Sequence, residues 1–402
     1  MSQESTNNLT LSTNHKLVDL KPKLKTKFEA EGFPTTSHEN WLYWAPDQLH
    51  QTLLNPVRND DYNSDTFADV TIVNGSLVNV SDKIQGLEIF ETESTELLAN
   101  LDLNLDTSSI SILNSLQAEK IIVLKAASNL EQLIRVSNIS TANNPNSTAV
   151  AKIIVLAEQE TVSKFIFDHI SLFGNTNAIN TSFHLIAKKD SNVSITHLFK
   201  KVQSPCFFHS MIYLYENTNC DHLTYVTNSE LVRHDTEAHF YEENANLKCS
   251  GVGILKNNEQ FYNHLKINHY VKNCNCEQFF KNILDDQAIA EFSGLVFVKE
   301  GAHGVDSTQS NKTLLLSDKA RVLSRPQLKI DADDVQCAHG STIGQLNPEE
   351  VFYITSRGLS LKEAKALLVY GFAEEIIVDI EDQSLRTELV KDIKNTLREI
   401  NI

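Results

Sequence analysis

Residues Phe183-His-Leu-Ile-Ala-Lys-Lys-Asp-Ser-Asn-Val-Ser-Ile-Thr-His-Leu-Phe199 read as strand, polar corner, strand. The arms are rich in β-branched and aromatic residues, and the break between them is polar, as a strand–turn–strand unit requires. The unit then recurs. It returns as MIYLYENTNCDHLTYV (211–226), AHFYEENANLKCSGVGIL (238–255), YVKNCNCEQFFKNIL (270–284) and VFVKEGAHGVDSTQ (296–309). The polar corners fall at Asp190, Asn217, Asn244, Asn273 and Gly301, in steps of 27, 27, 29 and 28 residues. A steady period of that size marks a stacked repeat. No unit carries an amphipathic helix between its strands, which disfavours leucine-rich and βαβ repeats. What remains is a solenoid of strands, most simply a parallel β-helix, in which each coil buries its inward residues against the coils above and below. The runs Ile121–Leu124 and Ile153–Leu156 open the pattern.

The flanks have a different texture. Residues 1–14 are polar and expected to be disordered. Residues 15–31 predict a helix with Leu17, Leu20, Leu24 and Phe28 on one stripe, ended by Gly32. Asn74-Gly75, between β-rich arms, predicts a hairpin with a type I′ turn. The stretch from 84 to 119 reads as mostly helical or irregular. After the solenoid, Asn347 is an N-cap with Pro348 at the first helical position and Glu349 and Glu350 in the first turn. Arg357-Gly358 ends that helix, and Ser360-Leu-Lys-Glu363 is a capping box for the next, with Ala364, Leu367, Leu368 and Phe372 as its apolar face. Leu385, Leu389, Ile393 and Leu397 mark a final helix. These helices are expected to close one end of the solenoid or to dock a partner. The division is a helical N-terminal region with a hairpin (1–90), a β-helix core (91–346) and a C-terminal helical domain (347–402).

Composition narrows the function. The 402 residues carry a formal net charge of -17 and no basic block, which disfavours nucleic acid and anionic membrane as partners. No stretch approaches the roughly 18 apolar residues of a membrane span. The N-terminus lacks an apolar signal region and the first arginine is Arg58, so a cytoplasmic protein is expected. None of the six cysteines forms a CxxC pair, and most are expected to be reduced and packed as small apolar residues. No GxGxxG, P-loop or GxSxG occurs, so no nucleotide is expected to bind this chain itself. No flavin motif occurs either.

The chemistry-bearing stretch is Asp334-Val-Gln-Cys-Ala-His-Gly-Ser-Thr-Ile-Gly344. Cys337 and His339 alternate along a strand and so face the same side. Thiolate and imidazole both ligate iron, copper or zinc. Two ligands hold a metal poorly, since such sites take three or four, so a second chain would have to complete the set. Three other groups are weaker. Cys274 and Cys276 have no matching pair. His234, Asp235, Glu237 and His239 read as charge pairs on a solvated face. Asp333 and Asp334 point to opposite faces and cannot straddle a glycosidic bond.

DDVQCAHGSTIGQL (333–346), followed by EEVFYITSRGLSLKEAKALLVYGFAEEI, resembles the C-terminal signature of the SufB/SufD family of iron–sulfur cluster assembly scaffolds. Gly32-Phe-Pro-Thr-Thr-Ser-His-Glu-Asn-Trp-Leu-Tyr43 resembles a segment near the start of those proteins, with Leu42 where lysine is usual. "AHGSTIGQL" matches the SufD version, since SufB-type chains carry an acidic "HEA" form. The resemblance implies a right-handed parallel β-helix between helical segments. It implies a scaffold that is not an enzyme by itself, paired with SufB through the β-helix. The SufC ATPase would then dock on C-terminal helices, here Pro348, Phe352, Arg357, Gly358, Ala364, Leu368 and Phe372. It further implies that His339 and Cys337 hold iron or a nascent cluster transiently at the SufB interface. ATP-driven closure of two SufC subunits would shift that interface and open it. The alternatives are a homodimeric scaffold of the same kind and a polysaccharide-active β-helix enzyme.

Overall fold

A computed structural model describes residues 17–57, 68–82, 84–93, 108–141, 144–172 and 176–400. The polar stretch 1–14, and residues 94–107 of the segment 84–119 read as mostly helical or irregular, lie outside the described residues. From residue 121 onward the chain alternates between two sheets, one of ten strands and one of nine. Eight successive strands in each sheet pair in parallel, which makes a solenoid of about eight coils. The register is strict. Ile186, Tyr213, His239 and Asn268 sit one above another, as do Ile195, His222, Cys249, Gln278, Gln309 and His339 in the opposite sheet.

The corners hold the coils in that register. Asp190, Asn217, Asn244, Asn273 and Gly301 all adopt positive φ, between 56° and 87°. Asn, Asp and Gly tolerate that conformation best. The Asn217 amide donates to Asp190 Oδ1 (2.8 Å) and the Asn244 amide to Asn217 Oδ1 (3.2 Å). A second ladder runs through Asn219, Asn246 and Asn275, at 3.0 and 2.7 Å. Each coil also turns at the opposite edge, where Lys201, Asn228, Asn257 and Asp286 take positive φ.

The two ends differ. At the first, the hairpin Val70–Val73/Ser76–Val80 joins the solenoid, because Val70–Val73 pairs in parallel with Ile134–Ser140. Asn74 and Gly75 take φ of 47° and 80°, as the predicted turn requires. Leu87–Thr92 is a strand, antiparallel to Ile121–Ala126, where helix or irregular structure was expected. Leu87 and Ile89 alternate with acids and pack on the bore, a period-2 signal obscured by its polar surroundings. At the far end, Arg321–Ile330 and Gln336–Gly344 are the outermost strands of the two sheets.

The C-terminal helices, Pro348–Thr355, Leu361–Ile377 and Gln383–Glu399, do not close an end. The last two lie along the outer face of the ten-stranded sheet. That face is apolar, with Ile166, Leu198, Tyr225, Val252, Ile254 and Ile283 packed against Val369, Ala373, Ile376, Leu385, Leu389 and Ile393. An apolar sheet face must be covered, and this one takes the helices. The predicted stripe of the last helix is buried throughout. The stripe of the preceding helix is rotated from the prediction: Ala364 and Val369 are buried, whereas Leu367 is 51% exposed. Lys248–Asp379 and Lys164–Glu381, both 2.8 Å, and Lys200–Glu388 at 2.5 Å tie the helices to the sheet. On the other sheet, Trp41, Leu53, Ile110, Leu113 and Phe207 form a separate apolar cover. The Arg233 guanidinium lies 3.4 Å over the Trp41 ring.

Burial within residues 234–239 corrects their reading as a solvated face. His234 points into the bore, and Glu237 and His239 are buried, 3.6 Å apart. Burial holds eight imidazoles below the usual range: His169, His264 and His269 near 3, His222 and His239 near 4, and His184, His197 and His234 lower than normal. Unfolded, each would protonate near 6.5. The stability they contribute is therefore complete above about pH 6.5 and lost as pH falls toward 4, by about 1.4 kcal/mol per pH unit for each imidazole. Burial also raises five carboxyls, Asp168, Asp221, Glu230, Glu259 (to about 7) and Glu291 (to about 6), which opposes the trend, but five carboxyls do not offset eight imidazoles. The urea midpoint should therefore fall steeply between about pH 6 and pH 4. A midpoint that stays flat across that window would show the buried imidazoles to be protonated or solvated.

Candidate functional site

Gln336–Gly344 is the outermost strand of its sheet, paired on one side only, with Asp306–Leu315. The alternation of β structure puts Cys337, His339, Ser341 and Ile343 on the bore side. In a middle coil these positions would be buried. Here Cys337 is half-buried against the core, while His339, Ser341 and Ile343 are exposed, Ile343 by 53%. Thiol and imidazole thus share one face of the outermost strand, on the open rim of the solenoid. A Cβ added at Gly340 or Gly344 would meet nothing within 4 Å, so the backbone beside the pair is uncrowded.

Under the rim lies a polar floor that the motif reading missed. Ser307, Gln309 and Asn311 sit one rung below Cys337, His339 and Ser341. From the opposite sheet, Ser324 Oγ accepts from the Asn311 amide at 3.0 Å and the Ser341 hydroxyl at 2.8 Å. Gln309 is 2% exposed and its amide donates to Gln278 Oε1 at 2.9 Å. The signal was present as spacing: each floor residue lies 30 positions upstream of the rim residue above it.

Partial burial pushes the Cys337 thiol above its usual range, offset in part by a hydrogen bond from the Ser307 backbone. Among the described residues, no three His, Cys, Asp or Glu side chains come together as a metal site. Cys337 and His339 carry ligating chemistries, two where a metal site takes three or four. The other five cysteines are buried. Cys276 packs inside the bore near Cys220 and Cys249, and burial drives its thiol far up.

The second group of candidates splits. Asn347 caps the helix Pro348–Thr355 by accepting from the Glu349 backbone at 2.9 Å, and Pro348 stands at its start. Phe352 is 73% exposed and Tyr353 59%. The Arg357 guanidinium lies 4.7 Å over the Tyr353 ring, and Gly358 turns the chain at φ 102°. Leu361 and Leu367 extend the exposed apolar surface. Ala364 is fully buried, and Leu368 is half-buried. Phe372 is half-buried, under the Lys281 ammonium at 4.2 Å. Lys281 also pairs with Glu375. Phe372 and Glu375, through Lys281, fasten the helix to the sheet; the outer surface is made by Phe352, Tyr353, Leu361 and Leu367.

The burial pattern makes a simple labelling prediction. Iodoacetamide on the native chain should modify Cys337 first, slowly at neutral pH because its thiol is raised, and Cys337→Ser should abolish that early modification. Early labelling of Cys206, Cys220 or Cys249, read by peptide mass spectrometry, would contradict the packed bore.

The motif, the open rim and the solenoid agree with the comparisons. The SufBD core domain of the SUF system for FeS cluster assembly matches residues 139–372, more than half of the chain. The iron–sulfur cluster assembly protein SufD of Escherichia coli is 26% identical over 399 residues, covering 91% of this chain and 90% of that protein. Shorter matches are to SufD of Bacillus subtilis (31% over 116 residues, 29% of this chain and 26% of that one) and to a SufBD family protein of Synechocystis (39% over 163 residues, 40% and 36%). Among the described residues no helix is long and apolar enough to cross a membrane. With its parallel solenoid, flanking helices and rim motif, the chain belongs to the SufBD core family of iron–sulfur cluster assembly proteins.

Proposed function

We propose that this chain is a SufD-type scaffold subunit of the cytoplasm, with no catalysis of its own, on which a nascent iron–sulfur cluster is built at an edge shared with SufB. The observation that carries this reading is the pair Cys337 and His339 on the unextended rim strand. A second β-helix laid against that rim would pair its open edge and supply the ligands that two residues cannot, among them a SufB cysteine. Iron and sulfide are the cargo, held transiently. Thiolate and neutral imidazole are the ligating forms, so loading weakens in acid.

SufC would dock on the apolar surface of Phe352, Tyr353, Leu361 and Leu367, with Pro348, Arg357 and Gly358 shaping the helix–turn–helix that presents it. The Leu361–Ile377 helix is fastened to the sheet through Lys281, Glu375, Lys248 and Asp379. A pull on that helix by closing SufC subunits therefore reaches the solenoid wall. The nucleotide belongs to SufC.

Co-expression with SufB and SufC tests the reading. The three should purify together, and His339→Ala should keep the complex while losing most of its iron and sulfide. Truncating Phe352 and Tyr353 to Ala should release SufC but not SufB, at a cost of about 2 kcal/mol or more, roughly 30-fold in affinity. A chain that runs alone or as a homodimer in the presence of both partners would sink the proposal.

A further inference from the structure

Beneath the rim, Gln309 is held with unusual care for a residue with no assigned role. It occupies the same inward column as His339, one rung below, where neighbouring strands are ~4.8 Å apart. Its Nε2 donates to Gln278 Oε1, so that end of the amide is satisfied. Its Oε1 is buried and has no partner. The opposite sheet makes room for it: a Cβ at Gly294 would come within 2.0 Å of Gln309 Nε2. An unpaired buried acceptor is costly and calls for a donor.

We infer that Gln309 is a positioning residue for His339, its Oε1 accepting the imidazole N–H when the rim is loaded. This rests on the reading of His339 as an iron ligand. A neutral imidazole has one N–H and one lone pair. Fixing the N–H downward on Gln309 commits the other nitrogen's lone pair to the metal and holds the ring against rotation. Gln278 and Gly294 fix the amide, so the acceptor is preorganised. Gln309 itself touches no cargo.

The test uses the purified three-component complex titrated with ferrous iron, for wild type, Gln309→Leu, Gln309→Glu and His339→Ala. Gln309→Leu should weaken iron binding roughly 10-fold or more, the usual effect of removing such a partner. Gln309→Glu, which keeps an acceptor in place, should restore most of the affinity; a merely structural role for the amide would give no such rescue. The double variant Gln278→Leu/Gln309→Leu removes both amides together and guards against misfolding, since it leaves no orphaned partner; it should match Gln309→Leu in iron affinity. Wild-type affinity in Gln309→Leu or the double variant, alongside a defect in His339→Ala, would overturn the inference and leave the assembly site standing. Wild-type affinity in His339→Ala would remove the assembly site, and the inference with it.

Discussion

Vertical registration governs this molecule. Each inward side chain rests on the one a coil below, so a residue's surroundings are set by positions 26 to 32 away, not by its sequence neighbours. Positive-φ corners and the asparagine ladders maintain the stacking. A slip of one residue in a coil would turn its inward set outward and break the columns on both sides. The site inherits its geometry from this constraint. Cys337 and His339 are placed by Ser307 and Gln309 beneath them, and among the described residues no strand lies above.

The same constraint explains why polar chemistry survives in the bore. His169, His197, His222 and His234 stand inside the solenoid within reach of one another, with His169 Nε2 3.1 Å from His197 Nδ1. His234 is met by Ser210, Thr224 and Thr236 at 2.8 to 3.2 Å. Hydroxyls and neutral imidazoles meet there without charge, which the low dielectric would penalise, although His197 Nε2 and His222 Nε2 are left without a partner among the described residues. On the outer wall the opposite solution holds. Lysines on the sheet meet carboxylates on the helices at the partly wet margins of an apolar seam, where each pair adds little energy but fixes position.

Much of this was legible in the sequence, for definite reasons. The corners at Asp190, Asn217, Asn244, Asn273 and Gly301 were found because a coil turns where only a few residue types tolerate positive φ. The caps at Asn347 and Ser360 were found because helix starts are chemically distinctive. The cover over Arg233 was not legible, because it depends on Trp41, some 190 positions away, and His239 is buried by a stack of Tyr213, Tyr241 and Tyr270 that only the coil register assembles. The rotated face of Leu361–Ile377 escaped for a related reason. That helix is apolar on several sides, so periodicity alone did not say which side meets the sheet. Cys337 and His339 were visible as a motif. That they sit on a rim was not, since a strand's place at the end of a stack is a property of the whole stack.

The unequal ends give the solenoid a polarity. One end is sealed by antiparallel strands, which cannot template another coil in the same sense. The other end leaves both outermost strands in the parallel sense of the coils. A parallel strand laid on that end would continue the coil stacking, whereas one laid on the antiparallel end would not. The two ends are therefore not interchangeable surfaces, and the antiparallel strand Leu87–Thr92 marks the one remote from Cys337 and His339.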